Sequence, residues 1–179
     1  MVDAVLGFWF DELTPAHWFV ANAEVDRTIT QRFGDVYALL AMALPEGWPA
    51  TPRGQLAAVI ALDQFPRNMF RGTAQAFATD ASALRIAQAA INAGFDRQLP
   101  AVQRQFLYLP FQHSEQAPDQ ERSVALYAAL GNEQALDFAR RHKAIIDRFG
   151  RFPHRNRALG RPSTAEETAF LATPGGSSF

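Results

Sequence analysis

Cysteine is absent from the 179 residues, so the chain offers no disulfide framework, no thiolate nucleophile and no cysteine-rich zinc site. Lysine is nearly absent as well. Lys143 stands alone among seventeen basic residues, the other sixteen being arginine. A planar, permanently charged guanidinium suits the recognition of carboxylates and phosphates, although an Ala-rich, Arg-rich coding bias yields the same ratio. Long apolar runs are missing too. The longest, Leu56 to Leu62, is far short of the roughly 20 residues that cross a bilayer. The opening segment carries Asp3, Asp11 and Glu12 where a secretory leader carries basic residues, so a soluble, cytoplasmic protein without a membrane span is expected. No Gly-x-x-x-x-Gly-Lys phosphate cradle occurs, and no segment alternates as a strand would.

The net charge is only −1, but it is polarised. From Arg140 to Arg161 there are eight basic residues and one acid, Asp147, which makes this segment +7 and the rest −8. Within it, Arg148, Arg151, Arg155, Arg157 and Arg161 share fourteen residues with His154 and no acid. Like charges so close repel unless something anionic lies among them. Either a bound anion or the carboxylates carried elsewhere, notably Glu166 and Glu167, must supply the balance.

At 48% hydrophobic, the chain can bury one sizeable core, and a single helical domain over residues 1–172 is expected with a mobile tail at 173–179. Apolar residues recur at three and four. A short helix is expected from Phe8 to Leu13, then a long one with Ile29, Phe33, Val36, Leu40 and Leu44 on its stripe. Thr51 and Pro52 open a third, whose face holds Leu56, Val59, Ile60 and Asp63 and which stops at Pro66. Helices follow over Asp80–Asn92, Ala101–Leu109 (stopped by Pro110), Glu121–Leu130 and Glu133–Phe149, with Gly131 and Asn132 making a tight hairpin of the last two. Ser163 and Glu166 read as the capping box of a final helix. The fold class is all-α: eight or nine helices packed as antiparallel pairs.

The segment from Glu121 to Pro153 has the length and pattern of one tetratricopeptide repeat, without a clear second copy. Three motifs stand out: Leu62-Asp-Gln-Phe-Pro-Arg-Asn-Met-Phe-Arg-Gly-Thr73; Phe106-Leu-Tyr-Leu-Pro-Phe111 with His113-Ser-Glu115; and Arg148-Phe-Gly-Arg-Phe-Pro-His-Arg-Asn156. In this order they resemble the bacterial domain-of-unknown-function family 924, over Val5 to about Leu171. The resemblance implies an all-helical, tetratricopeptide-like fold and no established activity, substrate or cofactor. Gln112 departs from the family, which commonly has a hydrophobic residue there.

Candidate site residues come from the same motifs. His113, Glu115 and His154 are the candidates for proton transfer, because imidazole titrates near neutrality and a carboxylate can fix its tautomer. Asp63, Arg67, Asn68, Arg148, Arg151, Arg155 and Asn156 are the candidates for holding an anion, with Asp63 orienting arginines. Each has a structural counterpart: Asp63 and Arg67 as a buried ion pair, Ser114 and Glu115 as the cap of the next segment. His142 and Lys143 read as a solvated helical face. No metal and no cofactor are expected, since the helices carry no ligand spacing and nearby arginines oppose a cation. Three functions remain: binding a small anionic molecule, with or without hydrolysing it; clamping an acidic peptide; and, least favoured, RNA binding through residues 140–161.

Overall fold

The structure is a computed structural model that describes residues 1–173 and Gly176. Of the tail expected to be mobile, residues 174, 175 and 177–179 lie outside the described residues. Helices account for all regular structure among them: α1 Val2–Gly7, α2 Pro15–Trp18, α3 Ala23–Met42, α4 Pro52–Val59, α5 Phe65–Met69, α6 Asp80–Asn92, α7 Ala101–His113, α8 Ala117–Leu130, α9 Glu133–Phe149 and α10 Ala165–Leu171. Two π-helical turns, Phe8–Glu12 and Ile60–Gln64, extend α1 and α4, and short 3-10 turns lie at Ala74–Phe77, Asp96–Gln98 and Pro153–Arg155. The all-helical expectation holds. By its contacts the chain divides into two compact units, Met1–Arg71 with Gln75–Pro110, and Gly72–Ala74 with Phe111–Phe179.

The first unit is built on the longest apolar run. Every residue from Leu56 to Pro66 is buried, as befits a helix that is apolar all round and lies inside a core. α4 packs on α1 and α6, the π turn on α3, and α5 on α3. Four aromatic rings close the centre: Phe33 lies 4.9 Å from Phe65 and 5.1 Å from Phe8, and Trp9 lies 5.9 Å from Phe65. The stripe of α3 consists of Ile29, Phe33, Tyr37 and Leu40. Val36 is only half-buried and Leu44 lies exposed beyond the helix, because the 3.6-residue period carries the face to Tyr37 rather than to its neighbour.

Pro66 does not stop the helix, contrary to the sequence reading. Proline removes the N–H that would bond the carbonyl four residues earlier. Here the π turn widens the helix just before it, and Thr79 Oγ1 donates to the deserted Leu62 carbonyl at 2.6 Å. Pro110 is likewise inside a helix, since α7 continues to His113. In the second unit Gln120, fully buried, donates from Nε2 to the carbonyls of Phe111, Gln112 and Ser114 at 3.3, 2.8 and 2.7 Å. It thus satisfies the end of α7 with a side chain from α8.

The hairpin of α8 and α9 follows the sequence reading closely. Gly131 and Gly150 take the left-handed conformation (φ +75° and +66°) at the two C-termini. Asn132 Oδ1 accepts the Ala135 N–H at 3.1 Å. α8 begins earlier than expected, with Pro118 in its first turn. The last capping box is shifted by one: Thr164, not Ser163, caps α10 and Glu167, not Glu166, answers it.

Thr79→Val should destabilise the protein by about 1–3 kcal/mol, the range for an orphaned buried polar group, while Thr79→Ser stays close to wild type. Urea unfolding of the two variants checks this; equal stability of both would mean that the Leu62 carbonyl needs no partner.

Candidate functional site

The left-handed Gly150 turns the chain sharply out of α9, and Phe152 follows directly, fully buried among Ile145, Ile146, Phe149 and Phe170. Three groups surround its ring. His142 and His154 have their ring centres 5.6 Å from it, and the Arg155 guanidinium lies 4.6 Å from its centroid. His113, at the end of α7, lies 6.4 Å ring to ring from His142. Four cationic or proton-carrying groups from three separate segments therefore meet within the second unit.

Three other arginines of the segment, Arg148, Arg151 and Arg161, are struts. Arg151 forms a bidentate pair with Glu167, Nε at 2.6 Å and Nη2 at 2.8 Å, and Nη2 also reaches the Pro162 carbonyl at 2.9 Å. Arg148 pairs with Glu166 at 2.8 Å. Arg161 embraces Glu115 at 2.7 and 3.0 Å, and donates to Asn156 Oδ1 and the Phe152 carbonyl. Glu115 also accepts the Phe152 N–H at 2.7 Å. Asn156, almost fully buried, donates to Ser163 Oγ and Glu167. Glu166 and Glu167 thus supply part of the balancing charge that the sequence demanded.

The residues from the first motif belong to the first unit. Asp63 is fully buried and lies 3.4 Å from Arg67, whose guanidinium also grips Asp80 at 2.8 and 3.0 Å. Burial opposes the charge of Arg67, but the Asp63 and Asp80 carboxylates outweigh it and raise its pKa. Asn68 donates to Asp26 at 2.8 Å. Among the described residues no group of three or more His, Asp or Glu side chains is placed to hold a metal ion, and no helix is long and apolar enough to cross a membrane.

Burial, then the neighbouring His113, His154 and Arg155, push His142 down to about 3, against the opposing effect of its bond to the Phe138 carbonyl. That bond, 2.9 Å from Nδ1, places the proton on Nδ1 and the lone pair on Nε2. Glu115 is lowered although burial opposes it, because Arg161 and the Phe152 N–H hold the charged form. The Arg151 pair brings Glu167 down to about 2.

Residues 5–175 match the model of a family described as bacterial protein of unknown function, DUF924. The chain belongs to this family. It is similar to a solved structure of a protein of unknown function from Agrobacterium tumefaciens, with 40% identity over 96% of each chain and a TM-score of 0.90. No curated protein matches the chain.

In this DUF924 chain the sequence reading missed His142, which is buried rather than solvated; Lys143 beside it pairs with Asp147 at the surface. The signal was present: Ala135, Ala139, His142 and Ile146 are spaced four, three and four, which is one face of a helix. It was masked by the basic run Arg140, Arg141, Lys143. Arg161 was not singled out among the arginines, because its partner Glu115 lies 46 residues away.

The depressed values fix a pH dependence. Between its ordinary 6.5 and about 3, His142 is protonated in the unfolded chain and neutral in the folded one. Its contribution is therefore complete above pH 6.5 and is lost as the pH falls toward 3. Glu167 acts lower, complete above its ordinary 4.5 and lost as the pH falls through about 2. Stability should accordingly fall from pH 6.5 to 4.5 by up to about 1.4 kcal/mol per unit, and His142→Gln should flatten this stretch but leave the steeper loss below it. Denaturant titrations at several pH values measure both; an unchanged slope in the variant would assign the loss to another group.

Proposed function

We propose that this protein binds a small anion on the Phe152 face of its second unit and handles a proton there. Arg155 supplies a permanent positive charge over the Phe152 ring. His113 and His154, both half-buried, can donate to an oxyanion when protonated and accept when neutral. His142 stays neutral at physiological pH, with its proton on Nδ1. The carrying observation is the convergence of two imidazoles, His142 and His154, and the Arg155 guanidinium on the Phe152 ring, with His113 against His142. Such a set suits a phosphate or carboxylate compound and is sufficient for general acid–base chemistry on an ester or phosphoester.

The acidic-peptide clamp is less well supported. It requires a row of available arginines, and Arg148, Arg151 and Arg161 are engaged by Glu166, Glu167 and Glu115. RNA binding draws on the same side chains and loses the same charge. We further propose the cytoplasm as the compartment, in keeping with a small anionic metabolite as ligand.

A thermal-shift comparison of wild type, Arg155→Ala and His154→Gln against phosphorylated and carboxylated metabolites tests the reading. An anion at 100 times its Kd adds about 2.7 kcal/mol, roughly 5–10 °C for a chain of this size. The shift should disappear in Arg155→Ala and shrink in His154→Gln. An anion that shifts wild type and both variants equally would place its site elsewhere; an absence of shift with every anion, together with early unfolding of Arg155→Ala, would make the cluster a structural clamp.

A further inference from the structure

The first unit contains an open depression of about 400 Å³ that the Phe152 site does not use, a size within the roughly 300–1,000 Å³ of small-molecule sites. It lies between the first half of α3 and the turn that follows α5. Asp26 forms its floor, accepting Asn68 Nδ2 at 2.8 Å and Arg71 through Nη2 at 2.8 Å and Nε at 3.1 Å. Three donors thus occupy this carboxylate, and its pairing with Arg71 fixes the plane of that guanidinium. A guanidinium carries five N–H donors in a rigid fork, so the edge turned away from Asp26 is set in advance. Arg27 and Gln31 stand exposed on the rim and Met69, half-buried, contributes an apolar wall. With Arg27 and Arg71 against Asp26, the depression carries one net positive charge. No histidine lines it.

We propose that this depression is a second binding site, for a small organic anion whose carboxylate or phosphate is taken by Arg27 and Arg71 while a short apolar body lies on Met69. Asn68 and Arg71 come from the Leu62–Thr73 motif, and this site gives them a joint role: Asp26 ties both to the floor so that Arg71 meets the ligand already oriented. Preorganisation of this kind lowers the entropy lost on binding.

The test is a titration of the full ¹⁵N-labelled chain with inorganic phosphate, butyl phosphate and pentanoate, followed by NMR. The expected result is saturable shifts in residues 26–31 and 68–71, tighter binding of butyl phosphate than of inorganic phosphate, and a loss of about tenfold or more in affinity in Arg27→Ala, consistent with removal of a charge-assisted hydrogen bond. Arg27 is exposed, so this variant keeps the fold. His154→Gln should leave these shifts untouched, which separates the proposal from the Phe152 site. Shifts confined to residues near Phe152, or shifts at 26–31 that persist with unchanged affinity in Arg27→Ala, would overturn it. Comparison of butyl phosphate with pentanoate tells which oxyanion the pair of arginines prefers.

Discussion

One buried carboxylate, that of Glu167, ties α10 to the segment that follows α9. It receives two nitrogens of Arg151, the Thr164 N–H at 2.7 Å and Asn156 Nδ2 at 3.3 Å. Its own N–H completes the capping box on Thr164. A helix cap, an ion pair and a buried amide therefore share one pair of oxygens, and hydrogen bonds to the charged form are what hold its pKa near 2. Glu115 does the same from the other side, gripping Arg161 and the Phe152 N–H. Between these two acids the chain from Arg151 to Arg161 has little freedom, and Phe152 is pressed into the core of the second unit.

That arrangement sorts the arginines by role. Arg148, Arg151 and Arg161 meet glutamates, and their charge is answered inside the protein. Arg155 lies buried over the Phe152 ring near His142 and His154, and its charge also helps to hold Glu115 ionised. The cost is visible in His142, which burial and these cations keep neutral far below its ordinary pKa. A strongly perturbed group inside such a cluster is the kind of place where a functional site is sought.

Much of the fold was legible because its determinants are local. Thr51 with Pro52, Asn132, Gly131 and Gly150 mark helix ends within a few residues of the groups they satisfy, and the structure uses each as read. Pro66 and Pro110 misled for the opposite reason: Thr79, which satisfies the carbonyl deserted at Pro66, lies 17 residues from Leu62, and no local pattern announces it. The capping box moved by one residue because Ser163 and Thr164 are both good caps, and the buried pairing of Glu167 decided between them. At the site, residue types were readable but partners were not. The charge imbalance said that carboxylates or a ligand must answer the arginines; only the fold assigns Glu115 to Arg161, sets His142 and His154 against one ring and brings His113, 41 positions before His154, against His142.

The most direct test of this account is the ¹H–¹⁵N imidazole titration of His142 in wild type and in Glu167→Gln, read together with amide exchange of residues 150–161. With Glu167 intact, His142 should remain neutral, protonated on Nδ1, down to about pH 3. Loss of the Glu167 carboxylate should release the segment, speeding its amide exchange and moving His142 back toward 6.5, while α8 stays protected. Unchanged exchange and an unchanged His142 titration in the variant would show that the segment is held by something else, and that Glu167 is not the tie on which the site depends.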